Sequence, residues 1–264
     1  PRSTLFPYTT LFRSAMTLLR GYADDMELGP WLKEKIWPLE AKLTEEEIYW
    51  GTLLAMAEML RAGVTCFNDM YFSPQVAARA VRETGMRACI SGVFFGFSPT
   101  AEEDLRQAKA FLGELKKAAS PLITPMLAPH APYTCPDPIM EQAIAAAREI
   151  GVGLHTHLSE TEKEVADSLA EHGETPIAHM NKLGMFETPT LAAHCVWATE
   201  GDIEILAAKK VGVAHAPGSN MKLASGAMPA RAMLAAGVPV GLATDGAASN
   251  NNLDLLEEAR LAAL

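Results

Sequence analysis

From residue 44 onward, short apolar runs alternate with amphipathic stretches of helical period, and this constrains the fold more than any other feature of the chain. Thr44 followed by Glu47 marks a helix start. Ile48, Leu53, Met56 and Leu60 carry its apolar stripe until Gly63 stops it. Strands are predicted at 64–70, 86–93, 123–130, 153–159, 190–196, 212–217 and 239–245. Helices are predicted at 74–85, 101–118 and 137–151, through to Leu183, from Glu200, at 228–237 and after the last strand. Strands and helices alternating at this spacing imply βαβ units and a parallel sheet.

The sheet can be open or closed. No GxGxxG follows a strand, so the open dinucleotide fold lacks its phosphate turn. Polar residues sit instead near the C-terminal ends of many strands: Asp69, His130, His157, His194, His215 and Asp245. That is the habit of a (β/α)8 TIM barrel; an open sheet gathers its site at one switch point. The predicted fold is an α/β barrel whose first strand is damaged or missing.

Composition narrows the function. The 264 residues carry 22 Lys and Arg against 32 Asp and Glu, a net charge of −10, so there is no basic footprint for nucleic acid. Cys66, Cys89, Cys135 and Cys195 form no CxxC pair, and their scatter fits a reducing compartment. No apolar run reaches the ~18 residues of a membrane span. No secretory leader is visible. A cytoplasmic protein is expected. Residues 1–14, PRSTLFPYTTLFRS, repeat Arg-Ser at 2–3 and 13–14 and Thr-Leu-Phe at 4–6 and 10–12. They resemble a translated sequencing-adapter read, with a β-hairpin or extended arm as the alternative, and are set aside from fold reasoning. The chain starts at Pro1 and ends at Leu264 within a helical pattern, so a fragment is expected.

Five of the seven histidines fall in or at the ends of predicted strands. His155 and His157, two apart, share one strand face. Neutral imidazole is a common metal ligand, so they read as a ligand pair, or else as two polar residues of a barrel interior. Asp245 ends an apolar strand, where a carboxylate is costly unless paired or bound to a cation, and is the strongest candidate for a metal ligand or general base. Glu160, taken alone, reads as an exposed acid at a helix start. His172 and His179 read as surface residues. Trp31 and Trp37 read as lining a substrate mouth or as packing, and Met56, Met59, Met86, Cys135 and Cys195 as packing.

The stretches AMTLLRGYADDM (15–26), WLKEKIWPLE (31–40), EMLRAGVTCFNDMYF (58–72), APHAPYTCPD (128–137), HTHLSETEKEV (155–165), AAHCV (192–196), PGSNMKLASG (217–226) and LATDGAASNNNLDL (242–255) go together. The chain from Ala15 onward thereby resembles the amidohydrolase superfamily, in its branch of 5′-methylthioadenosine/S-adenosylhomocysteine deaminases and triazine hydrolases. The resemblance implies a metal-dependent hydrolase on a (β/α)8 barrel spanning 15–264, with a small β-domain that is missing here. It implies one Zn2+ per subunit, or Fe2+, held by an HxH on the first strand, by His157 and by Asp245. Glu160 is then the proton shuttle and His194 contacts the attacking water. Asp245 is the base, and His130 and Glu40 contact substrate, Glu40 at ribose hydroxyls. His155 becomes a neighbour of the ligand. The implied reaction turns a 6-aminopurine nucleoside (5′-methylthioadenosine, S-adenosylhomocysteine or adenosine) into the inosine-type product and ammonia. A guanine, cytosine or triazine hydrolase is the alternative. The implied partners are a small nucleoside and possible further copies of the chain, with no nucleic acid or membrane. One departure is serious: Leu11 and Arg13 stand where the family has its HxH, so the chain as written is expected to be an inactive, non-enzymatic fragment.

Overall fold

The computed structural model describes residues 13–264. Leu11, most of the 1–14 segment and the expected first strand lie outside them. Among the described residues, seven strands form one parallel sheet in sequential order. They are β1 (Cys66–Tyr71), β2 (Arg87–Phe94), β3 (Ile123–Pro129), β4 (Gly153–Leu158), β5 (Thr190–His194), β6 (Gly212–His215) and β7 (Val240–Leu242). Each lies within a few residues of its predicted place.

The long connecting helices are α1 (Glu45–Arg61), α2 (Pro74–Thr84), α3 (Ala101–Ala118) and α4 (Asp137–Ile150). The Thr44–Glu47 capping box that opens α1 forms in both directions. The stretch expected to be helical up to Leu183 is two helices, α5 (Glu162–His172) and α6 (Pro176–Lys182). Gly173, with φ of 72°, ends the first, and Thr175 caps the second. Then come α7 (Glu200–Lys209), α8 (Pro217–Lys222), α9 (Ala230–Ala235), α10 (Ala247–Asn250) and α11 (Leu255–Ala262).

Alternation along the strands separates two cores. Leu154, Leu158, Ala192 and Val213 face the helices in the large outer cluster. Ala193, Ala214, Ala216 and Ala243 face inward with Met126 and Leu191. These small inner side chains leave room in the sheet's concavity for imidazoles. A third cluster joins Ala15, Met16, Trp31 and Ile36 to Tyr71 and Ala248, so residues 13–40 bridge β1 and the turn after β7. Trp31 is fully buried with its Nε1 on the Ala23 carbonyl, which makes it a core residue, whereas Trp37 stays half-buried at the mouth. No helix among the described residues is long and apolar enough to cross a membrane.

Candidate active site

The rims of β3, β4, β5 and β7 bring His130, His157, Glu160, His194 and Asp245 together, all buried. Their neighbours there include Arg13 and Glu40. On β4, His155 and His157 share the inner face, as their spacing requires. His155 sits deeper, where its Nδ1 meets Asn68 Nδ2 at 3.3 Å and Ser91 Oγ at 3.4 Å. Burial, then Arg13, pushes it down to about 3. His157 is held by the chain beside it: its backbone N–H (3.0 Å) and its Nδ1 (2.7 Å) both donate to the His130 carbonyl. That fixes the tautomer and turns Nε2 into the mouth. Burial, then Arg13 and His194, keeps His157 neutral.

His194 closes β5 with φ of 69°. Its Nδ1 donates to Asn220 Oδ1 at 2.8 Å, and its ring lies over His157 at 5.5 Å and 18°. Its Nε2 stands 3.8 Å from Glu160 Oε2. Asp245 also has a left-handed φ, 61°. Its Oδ2 accepts from Ser219 Oγ (2.8 Å) and Ser249 Oγ (2.6 Å), while Oδ1 has no hydrogen bond among the described residues. Burial works to raise its pKa, but Arg13, His194, Ser249 and His157 together hold it below the usual carboxylate range.

Glu160 is buried rather than exposed at a helix start. Burial and then the charge of Asp245 raise its pKa, against His194, Arg13 and Ser225. The two carboxyls are thus pushed in opposite directions, Glu160 up and Asp245 down. Glu160 is aimed by Glu164, whose two oxygens accept the Ser159 and Glu160 backbone N–H groups at 2.8 Å each. Burial lifts Glu164 to about 8. Its folded pKa lies above its ordinary 4.5, so stability falls as the pH rises from about 4.5 through 8. Glu164→Gln is therefore expected to flatten this part of the curve, measured by urea unfolding at stepped pH. An unchanged slope contradicts the assignment.

His130 donates from Nδ1 to Thr134 Oγ1 (3.0 Å) and packs against Phe95 with ring centroids 4.6 Å apart. Glu40 is buried in the same wall, its pKa raised by burial against the pull of Arg13, with Oε1 unpartnered. Outside them a cleft of about 790 Å³ is lined by Leu28, Leu32, Trp37, Phe97, Tyr133 and Leu223.

Arg13 lies in the middle. Its Nη2 donates to His130 Nε2 at 3.1 Å and stands 3.4 Å from His157 Nε2. Burial works against its charge, but Asp245, Glu40, Tyr133 and Glu160 raise its pKa. The preset His157 tautomer and the orphaned Asp245 Oδ1 are what a metal needs. Yet among the described residues no three ligating atoms of the mouth lie within 4.8 Å of one another, whereas a protein zinc site takes three or four, and a guanidinium already stands there. A divalent ion does not fit these residues while Arg13 is among them.

Two expectations are corrected. Asp69 does not face the mouth: two residues after Phe67, it shares that residue's outward face of β1 and accepts the Ser14 backbone N–H at 2.7 Å, with burial raising it to about 6. His179 is buried, not a surface residue. Sequence reasoning assigned nothing to Ser219, Asn220, Ser225, Ser249, Thr134 or Glu164, although all six lie inside the recognised stretches at 128–137, 155–165, 217–226 and 242–255.

The amidohydrolase family matches residues 13–264. A 5-methylthioadenosine/S-adenosylhomocysteine deaminase of Pelotomaculum thermopropionicum is 53% identical over 95% of this chain and 58% of its own length. Its counterpart in Desulforudis audaxviator is 54% identical over the same shares. Among solved structures, an adenosine deaminase from Xanthomonas campestris with bound zinc superposes with a TM-score of 0.90 at 40% identity, covering 97% of this chain and 59% of that one. A triazine hydrolase from Arthrobacter aurescens, TM-score 0.86 over 97% of this chain and 62% of its own, is 21% identical and attests the fold alone. The chain thus spans a little under three-fifths of the length of the curated relatives it matches. Strand order, the inward histidines of β4 and the match across residues 13–264 agree: the chain belongs to the amidohydrolase family.

Proposed function

We propose that the whole protein deaminates a 6-aminopurine nucleoside by hydrolysis, with 5′-methylthioadenosine, S-adenosylhomocysteine and adenosine as its substrates. The observation that carries this reading is the pairing of Glu160, held up in pKa, with Asp245, held down, across His194. The identity to relatives named for that activity supports it. In the proposed reaction, Asp245 takes a proton from the attacking water, whose oxygen bonds to the carbon bearing the amino group. Glu160 gives a proton to the adjacent ring nitrogen, so negative charge does not build up there. His194 hydrogen-bonds the new oxygen. Asp245 then passes its proton to the amino nitrogen, the C–N bond breaks as the new oxygen becomes a carbonyl and returns its proton to Glu160, and ammonia leaves. His130 and Phe95, their rings tilted by 34°, supply the aromatic wall for the purine in this proposal.

Position 13 decides whether this chain can act. With Arg13 covering His130 and His157, the chain as it stands is inactive in this proposal. Zinc, the ion of the Xanthomonas neighbour, or ferrous iron enters only where positions 11 and 13 carry donors. The test is ammonia release by a protein completed to its relatives' length with Leu11→His and Arg13→His. Ammonia from at least one of the three nucleosides is expected. A folded, zinc-loaded protein that releases none from any of them overturns the reading.

Glu40 separates nucleosides from free bases and triazines. Its buried carboxyl is proposed to hold ribose hydroxyls, a charged hydrogen bond of about 1.5–3 kcal/mol, or roughly 10–100-fold in affinity. Glu40→Ala is expected to raise KM for adenosine by that factor and to leave adenine turnover unchanged. An equal loss on both substrates removes Glu40 from ribose recognition.

A further inference from the structure

Away from the mouth, a second cluster of ligating side chains gathers where α4, α5 and α6 meet. Asp137 opens α4, His172 ends α5, and His179 lies in α6. One donor atom from each falls within 4.8 Å of the others, and no other trio of His, Cys, Asp or Glu among the described residues, the mouth included, comes as close. His179 is nearly closed off, its side chain 7% exposed, with Nε2 at 2.9 Å from Asp137 Oδ1. Its other nitrogen, Nδ1, faces Glu174 Oε2 at 3.7 Å, and neither atom has a hydrogen bond. The His172 ring stacks on the His179 ring at 3.8 Å and 15°.

A plain structural tie between α4 and α6 needs only the Asp137–His179 bond and gives no place to the second imidazole. The two rings sit among the carboxyls of Asp137, Glu174 and Glu171, the last 3.9 Å from His172 Nε2. The cation that reaches these groups, Lys182, is engaged with Glu174 at 3.1 Å. One divalent ion answers all of this. It takes a nitrogen from each ring, the His172 ring turning out of the stack to aim its lone pair at the ion, and an oxygen from Asp137. It also sharpens the His179 Nδ1–H to Glu174 contact into the carboxylate–histidine–metal pattern. The three groups open onto a cleft of about 310 Å³, which leaves room for water as the fourth ligand.

We propose that Asp137, His172 and His179 form a divalent transition-metal site, zinc being the best match to two imidazoles and a carboxylate. The site is separate from the barrel mouth and independent of the reaction proposed above. Bound there, the ion staples three helices at once. One of them follows the loop carrying His130, and another starts two residues after Glu160. The ion therefore stiffens two walls of the mouth from behind.

The test is calorimetric titration of the chain with Zn2+, alongside thermal unfolding with and without the ion. One ion per chain and a higher melting temperature in zinc are expected, since a ligand that binds only the folded state stabilises it. His172→Ala, whose ring makes no hydrogen bond, and Asp137→Asn are each expected to weaken binding by roughly tenfold or more, the scale of loss at metal-site residues, and to abolish the melting shift. Asp245→Asn is expected to change neither. Absence of saturable zinc binding, unchanged affinity in His172→Ala, or loss of binding in Asp245→Asn each overturns the proposal.

Discussion

Replacing Arg13 by alanine is expected to destabilise the chain by about 3–5 kcal/mol near neutral pH, read from the midpoint of urea unfolding. The guanidinium is buried among three carboxyl groups, Asp245, Glu40 and Glu160, and two imidazoles that its own charge helps keep neutral. Removing it leaves the Asp245 carboxylate with two serine hydroxyls and an unpartnered oxygen. The pH dependence has a definite sign. In the parent, Asp245 lies below its ordinary 3.8, so its contribution is present above that pH and lost on acidification through the lowered value. The gap between parent and variant is therefore widest at neutral pH and narrows below about 4. A loss within about 0.5 kcal/mol, the scale of a surface change, contradicts a buried guanidinium.

Glu160→Gln in the completed protein with histidines at 11 and 13 is expected to lower kcat by about 10³-fold while changing KM little. Glutamine preserves the shape and can keep the Ser225 contact at Oε1, but it cannot give up a proton. Steady-state ammonia release against nucleoside concentration reads both constants. Activity within tenfold of the parent, or a loss confined to KM, means that the proton reaches the ring from elsewhere.

The barrel order was legible because its strands are apolar runs between helices with clear ends. Residues 101–118 form a helix with the predicted bounds, with acids in the first turn and lysines in the last. The inward face of β4 followed from the two-residue period at His155 and His157, and Asp245 from the cost of a carboxylate on an apolar strand. What stayed hidden has physical causes. The left-handed backbone at Ser159, His194 and Asp245 occurs at non-glycine residues, so no glycine announces it. The His130 carbonyl that sets the His157 tautomer is a backbone atom that every residue type has. The serines on Asp245 and the asparagine on His194 come from α8 and α10, which only the folded sheet brings near them. Burial of Glu160 and His179 depends on neighbouring helices, whereas both residues carry the local pattern of solvent-facing positions. Arg13 lay in a segment set aside from the fold, and the sequence said only that it stands where the family has a histidine, not that it takes the metal's place.

The central claim is that the mouth is built for a cation and that Arg13 is that cation here. The most direct measurement is zinc content after dialysis, in a His172→Ala background that removes the outer cluster, for the chain with Arg13 and for the Leu11→His/Arg13→His variant. The account predicts no bound zinc in the first and one ion in the second, lost again with Asp245→Asn. Zinc retained by the chain with Arg13 in place and released by Asp245→Asn, or none gained by a folded double variant, contradicts it.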